Sequence, residues 1–232
     1  MLPKGILFDL DDTIIAYGGI SKPVWKQVCQ EFSVENDRLE PVLLYDTIKE
    51  TSHWYWSDPD RHRKGRGDLS RARGHIMEMV FEKLGVDDTL LAHKIGETFQ
   101  RRREEGLTLF KGARETLEYL NNSGVALALM TNGEMEKQRA KIERFDLEKY
   151  FRIILIEGEQ GFGKPDKKVY IKALKGLDLK PEECWAVGDN LEWDVEGPQK
   201  LGIFGIWTTL VIKGSPRIPL LRLTESLTVL WN

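Results

Sequence analysis

Between Gly5 and Thr13, in Gly-Ile-Leu-Phe-Asp-Leu-Asp-Asp-Thr, the chain passes from an uninterrupted apolar run to three carboxylates. Few folds hold those two features together. Ile6, Leu7 and Phe8 read as a strand buried on both faces, as at the centre of a parallel sheet. Asp9, Asp11 and Asp12 then arrive at its carboxyl end. Carboxylates crowded this closely repel one another and raise each other's pKa unless a cation sits among them. A strand followed by an acidic turn is one reading, and a metal-dependent catalytic site is the other.

The rest of the chain supplies the sheet that such a strand needs. After Gly18-Gly19, which reads as a hinge or tight turn, residues 21–103 show no strand pattern. Apolar residues recur there at helical spacing: Val24, Val28 and Phe32; Val42, Leu43 and Ile48; Ile76, Met79, Val80 and Leu84; Leu91, Ile95 and Phe99. This predicts an all-helical insertion of about four helices. From Gly112 onward, strands at 125–130, 152–156, 184–187 and 203–207 alternate with helices at 113–120, from 131 to about 145, and at 167–177. Such alternation without hairpin signals argues for an α/β fold, a Rossmann-like doubly wound parallel sheet covered on both faces. The expected organisation is a catalytic core from 1–20 and 104–232, with an inserted helical cap domain at 21–103. The Pro-punctuated segment 213–232 reads as a peripheral strand or helix.

Composition narrows the partners. At 232 residues, 41% hydrophobic and 31% charged, the chain is an ordinary globular protein, and its net charge of -3 makes no electrostatic case for nucleic acid. Cys29 and Cys184 stand far apart, in no metal-ligand spacing, which suits a reduced cytoplasmic protein. No apolar run approaches the ~20 residues that a membrane span requires. His53-Trp54-Tyr55-Trp56, followed by Arg61, Arg63, Lys64 and Arg66, reads as a helix end packed by its aromatics and then a solvated loop; contact with an anionic ligand is the alternative. Gly158 to Lys164 fits G-x-x-x-x-G-K, but Pro165 stands where a P-loop needs a hydroxyl, so a nucleotide loop is rejected.

Four strand ends carry a consistent set of groups: Asp9, Asp11 and Thr13; Thr131 and Asn132; Lys164; Asp189 and Asp194. Ligands in open parallel sheets bind at strand carboxyl ends. Phosphoryl transfer requires a nucleophile, an acid for the leaving oxygen, a divalent cation and fixed donors to the nonbridging oxygens. Asp9 can attack a phosphate only with a cation between the two. Asp9 and Asp189 are hard oxygen donors that suit Mg²⁺. Asp11 can reach the other side of phosphorus, as general acid and then base, if the strand loses its pleat there. Thr131-Asn132-Gly133 offers a hydroxyl and backbone N–H groups to phosphate oxygens, and Asp194 can hold Lys164 or a metal-bound water.

Asp9-Leu-Asp11-Asp-Thr13, Thr131-Asn132, Lys164-Pro165 and Gly188-Asp189-Asn-Leu-Glu-Trp-Asp194 together resemble the four motifs of the haloacid dehalogenase superfamily hydrolases. The match covers residues 1 to about 20 and about 106 to 212, and the helical insertion resembles that family's four-helix cap in position and length. The resemblance implies an aspartyl-phosphate phosphatase in which Asp9 attacks and Asp11 is the acid/base. Mg²⁺ would be held by Asp9, Asp189 and the backbone carbonyl of Asp11. Thr131, Asn132 and Lys164 would bind the phosphoryl group, with Thr13 and Asp194 behind them. Dehalogenases proper and phosphonate-cleaving members lack an acid at Asp11's position and are disfavoured.

The expected substrate is a small phosphometabolite, such as a sugar phosphate, an acylneuraminate phosphate or a nucleoside monophosphate. It is handled by a monomer or homodimer whose cap closes over the site and selects the substrate. A phosphomutase of the same fold, or a catalytically idle interaction module, are the rival readings.

Overall fold

The computed structural model describes residues 2–208; the segment 213–232 lies outside them. The strands are β1 (Gly5–Phe8), β2 (Ile15–Ala16), β3 (Thr108–Leu109), β4 (Ala126–Thr131), β5 (Ile153–Ile156), β6 (Cys184–Gly188) and β7 (Phe204–Trp207). Five of them form one sheet in the order β5-β4-β1-β6-β7, every pairing parallel. β1 is the central strand and is buried along its whole length. The winding reverses at β1, so the carboxyl ends of β1, β4 and β6 lie side by side at a topological switch point, where such sheets bind ligands. Gly5 lets β1 enter between its neighbours, since a Cβ there would stand 2.5 Å from Leu179 Cδ1.

Contacts divide the chain into two compact units, Tyr17–Leu107 and the remainder. The first holds α1 (Gly18–Glu35), α2 (Pro41–Ser57), α3 (Pro59–Arg66), α4 (Leu69–Leu84) and α5 (Thr89–Glu105). Its interior joins Val28, Phe32, Leu44, Ile48, Ile76, Met77, Val80, Ile95 and Phe99, with Trp25 stacked on Phe99 at a centroid separation of 3.8 Å.

Three expectations fail here for identifiable reasons. The basic stretch after Trp56 is helix α3 rather than a loop. Asp58 accepts from Arg61 N at 2.8 Å, and Pro59 occupies a first-turn position whose missing N–H is harmless. Gly18-Gly19 is the first turn of α1 rather than a hinge. Val42 and Leu43 are exposed, because α2 turns Leu44, Thr47, Ile48, Thr51 and Tyr55 inward.

The other unit carries the sheet and α6 (Ala113–Asn122), α7 (Met135–Arg144), α8 (Glu157–Gln160), α9 (Lys167–Leu177) and α10 (Gly197–Gln199). α9 packs Val169, Tyr170, Ala173, Leu174 and Leu177 with Leu7, Ala128 and Met130 of the sheet. Asp166 caps its start by accepting from Lys168 N at 2.9 Å. No described helix is long and apolar enough to cross a membrane.

Candidate active site

Asp9 continues the central strand by one residue, its N–H donating to Val187 O at 2.9 Å. The chain then folds back sharply. The N–H groups of Ile14 and Ile15 both donate to Leu10 O, Asp12 N–H donates to Ile15 O at 2.7 Å, and Asp12 takes φ 59. Aspartate tolerates that left-handed conformation better than most residues, which gives Asp12 a structural role. The turn also brings Thr13 back, so that its hydroxyl donates to Asp9 Oδ2 at 3.1 Å.

Lys164 reaches the same carboxylate from the loop between α8 and α9. Its Nζ stands 2.6 Å from Asp9 Oδ1 and 2.6 Å from Asp194 Oδ1. The expected contact between Asp194 and Lys164 is therefore present. Asp194 lies in a π-helical turn, Leu191–Glu196, after β6, where its second oxygen accepts from Asn190 N at 3.0 Å. Gly188 makes the approach possible, because a Cβ there would stand 2.2 Å from Asp194 Oδ2.

A buried cluster with two carboxylates and one ammonium retains a net negative charge. Burial pushes the Asp9 carboxyl up, to about 7, against the opposing pull of Lys164. Burial, then the charges of Asp12 and Asp194, push Asp189 to about 6. Burial alone would lower Lys164, but Asp9 and Asp194 hold it above the usual lysine range.

Asp9, Asp189 and Asp194 can each bring a carboxylate oxygen within 4.8 Å of the others, the one such group among the described residues. Hard oxygen donors with excess negative charge fit a divalent cation such as Mg²⁺. The carboxylate of Asp11 is not among them; Asp11 could contribute only its backbone carbonyl.

The Asp11 carboxylate instead faces helix α7. Lys141 Nζ donates to Oδ1 at 2.8 Å and to Oδ2 at 2.7 Å, and Gln138 Nε2 donates to Oδ2 at 3.0 Å. The same Nε2, with two hydrogens to share among three acceptors, also lies against the Thr131 hydroxyl and Asn132 O. The Asn132 side chain is bonded on both sides to the Lys164 backbone, receiving from its N–H at 2.8 Å and donating to its carbonyl at 2.7 Å. Asn132 thus holds Lys164 in place, and Gly133 N–H donates to Glu157 Oε2 at 3.1 Å. Helix α7 begins at Met135 rather than at Thr131, because Gly133 first turns the chain through φ 120.

Gln138, Lys141 and Glu157 were not singled out from the sequence. The signal for the first two was available, since they lie three apart and so share one face of a helix starting at a strand end.

The other residues weighed in the sequence make local contacts of their own. Cys29 and Cys184 are buried free thiols. His93 pairs with Glu78 at 2.7 Å, and His62 lies edge-on to Trp56. Gly158 to Gln160 lie in α8, which Gly161 ends at φ 72 before the loop that carries Lys164. Trp207 donates its indole N–H to Asp189 O at 2.8 Å.

A family model for haloacid dehalogenase-like hydrolases matches residues 3–202. The chain is 29% identical over 221 residues to the phosphoserine phosphatase of Thermus thermophilus, covering 88% of each protein. It is 30% identical over 224 residues to the N-acylneuraminate-9-phosphatase of Mus musculus, covering 94% of this chain and 85% of that one. A crystal structure of a HAD phosphatase from Thermococcus onnurineus has a similar fold, with a TM-score of 0.57 at 23% identity, over 89% of this chain and 86% of that one.

Proposed function

Since the chain belongs to the haloacid dehalogenase-like hydrolases, we propose that it is a Mg²⁺-dependent phosphomonoester hydrolase acting on a small phosphorylated metabolite in the cytoplasm. The observation that carries this reading is Lys164, buried between Asp9 and Asp194 at the end of the central strand. An ammonium held there neutralises an attacking carboxylate and remains close enough to meet a phosphoryl oxygen.

Asp9 attacks phosphorus, forming an acyl phosphate as the ester P–O bond breaks. The electron pair leaves on the ester oxygen, which takes a proton from Asp11. Asp11, now a carboxylate, accepts a proton from a water that attacks the same phosphorus, and Asp9 is regenerated as phosphate departs. Lys164 and the Thr131 hydroxyl bind the nonbridging oxygens, and Asn132 fixes the Lys164 backbone beneath them. Asp9, Asp189 and the backbone carbonyl of Asp11 would hold Mg²⁺, which when bound offsets the repulsion between Asp9 and the phosphate dianion.

The phosphoserine and acylneuraminate phosphatases similar to this chain support a small polar substrate. The choice among such substrates is assigned to the unit Tyr17–Leu107, because the core cluster accounts for the phosphoryl group and for nothing beyond it.

Asp9→Asn tests the reading. It should lower phosphate release from p-nitrophenyl phosphate in Mg²⁺ by about 10³-fold or more while circular dichroism stays native. Activity surviving that change would sink the nucleophile assignment. Phosphate release from a panel of phosphorylated sugars, amino acids and nucleosides would then identify the substrate.

A further inference from the structure

Resting on the assignment of Asp11 as acid/base, we propose that Lys141 and Gln138 are positioning residues for the reaction, forming a clamp from helix α7 that fixes the Asp11 carboxylate. The turn through Leu10–Ile15 sets only the backbone of Asp11, leaving its side-chain torsions free. Donors from α7 occupy both oxygens: Lys141 Nζ at 2.8 and 2.7 Å, and Gln138 Nε2 at 3.0 Å. A carboxylate so held cannot rotate without breaking charge-assisted bonds.

Three features separate this from an incidental surface ion pair. Lys141 is 8% exposed and Gln138 is 2% exposed, in a helix whose other buried residue is Ile142. Lysine is almost never buried so far without a partner that needs it. Lys141 and Gln138 lie one turn apart on one face, so a single helix position aims both. Gln138 also bonds the Thr131 hydroxyl and Asn132 O. One amide therefore ties the proposed acid/base to the loop proposed to receive the phosphoryl group, and the distance between the two is set by α7 rather than by either loop.

The competing account is an ion pair that merely docks α7 on the sheet. Its loss would lower stability and leave the chemistry of the folded molecules unchanged. A misplaced acid, by contrast, slows only those reactions whose leaving oxygen needs a proton as it departs. Phenyl phosphate and p-nitrophenyl phosphate differ little in shape, but 4-nitrophenolate leaves far more readily without protonation.

The experiment measures single-turnover release of phenol and of 4-nitrophenol from the respective esters, per folded molecule and with saturating Mg²⁺. Lys141→Met should slow phenyl phosphate by about 30-fold and p-nitrophenyl phosphate by no more than about 3-fold. Gln138→Leu should show the same bias to a smaller extent, and Lys141→Arg, which keeps charge and donors, should restore much of it. Equal losses on the two esters, or none, overturn the clamp. Should Lys141→Met fail to fold, Gln138→Leu and Lys141→Arg decide the question alone. Asp11→Asn separates this from failure of the underlying reading. If Asp11→Asn shows no leaving-group bias, the acid/base assignment is wrong. If it shows the bias and the α7 variants do not, only the clamp is wrong.

Discussion

Lys164 and Lys141 both end on a carboxylate that follows β1, but they arrive by different routes and under different constraints. Lys164 comes from a loop, its backbone pinned by the Asn132 amide, and its ammonium lies between two carboxylates. Lys141 comes from the second turn of α7 and meets the Asp11 carboxylate, with Gln138 as a second donor. The side chains around Lys164 are 9% and 3% exposed, whereas Asp11 is 25% exposed. Partial access to water suits the proposed acid/base role of Asp11, which would exchange protons with solvent. Near-complete burial suits the role proposed for Lys164, a fixed charge held against a phosphoryl group.

The contrast should be largest in stability. Lys164→Met leaves two buried carboxylates facing each other and should cost about 3–5 kcal/mol in urea unfolding. Lys141→Met leaves Asp11 with Gln138 and some water, and should cost about 1–2 kcal/mol. Comparable losses would mean that the two lysines are equivalent.

Gly188→Ala sharpens the Lys164 side without touching either lysine. The new methyl would overlap the Asp194 carboxylate and displace it from Lys164, with an expected loss of about 1–3 kcal/mol. The displaced carboxylate should also weaken Mg²⁺ binding in calorimetry; unchanged stability and affinity would show that Asp194 can relocate freely.

The smallest effect is a pH dependence specific to the Lys164 side. Asp9 and Asp189 have folded pKa values raised to about 7 and about 6. Between the ordinary carboxylate value, near ~4, and these values, the folded state binds more protons than the unfolded state. Metal-free stability should therefore fall as pH rises through this window. Screening of the half-buried Asp189 keeps the change modest, and in chelator the melting temperature should drop by a few degrees between about pH 5 and about pH 8. Saturating Mg²⁺ should remove or reverse that slope; a metal-free melting temperature that rises with pH would refute it.

The sheet was legible because each of its strands is a short apolar run ending at a polar cluster, and the pattern survives in one dimension. Asp9 was legible for the same reason, directly at a strand end, and Lys164 and Asp194 as charged groups in the segments that follow β5 and β6. Helix α3 was not, because Pro59 to Arg66 has almost no apolar face; Asp58 and Pro59 start it by satisfying and removing N–H groups, which hydrophobic spacing does not register. Val42 and Leu43 misled in the opposite sense, as apolar residues one helical step away from the buried face of α2. Lys141 and Gln138 escaped notice because charged and amide side chains on a polar helix look solvated until a carboxylate from another strand end is brought against them.

One small feature bears on how this chain can be cut and rejoined. β2 and β3 form a two-residue antiparallel ribbon in which Ala16 is the register partner of Thr108. The chain leaves the sheet-bearing unit at one rung and returns on that same rung, with everything between belonging to the helical unit. Closing so long an excursion carries an entropic penalty that grows only with the logarithm of its length. A two-residue turn could span the same rung. The carboxylates and both lysines of the proposed site lie outside residues 17–107, so an exchange of the helical unit at this single seam would leave the proposed phosphate-handling residues in their original chain.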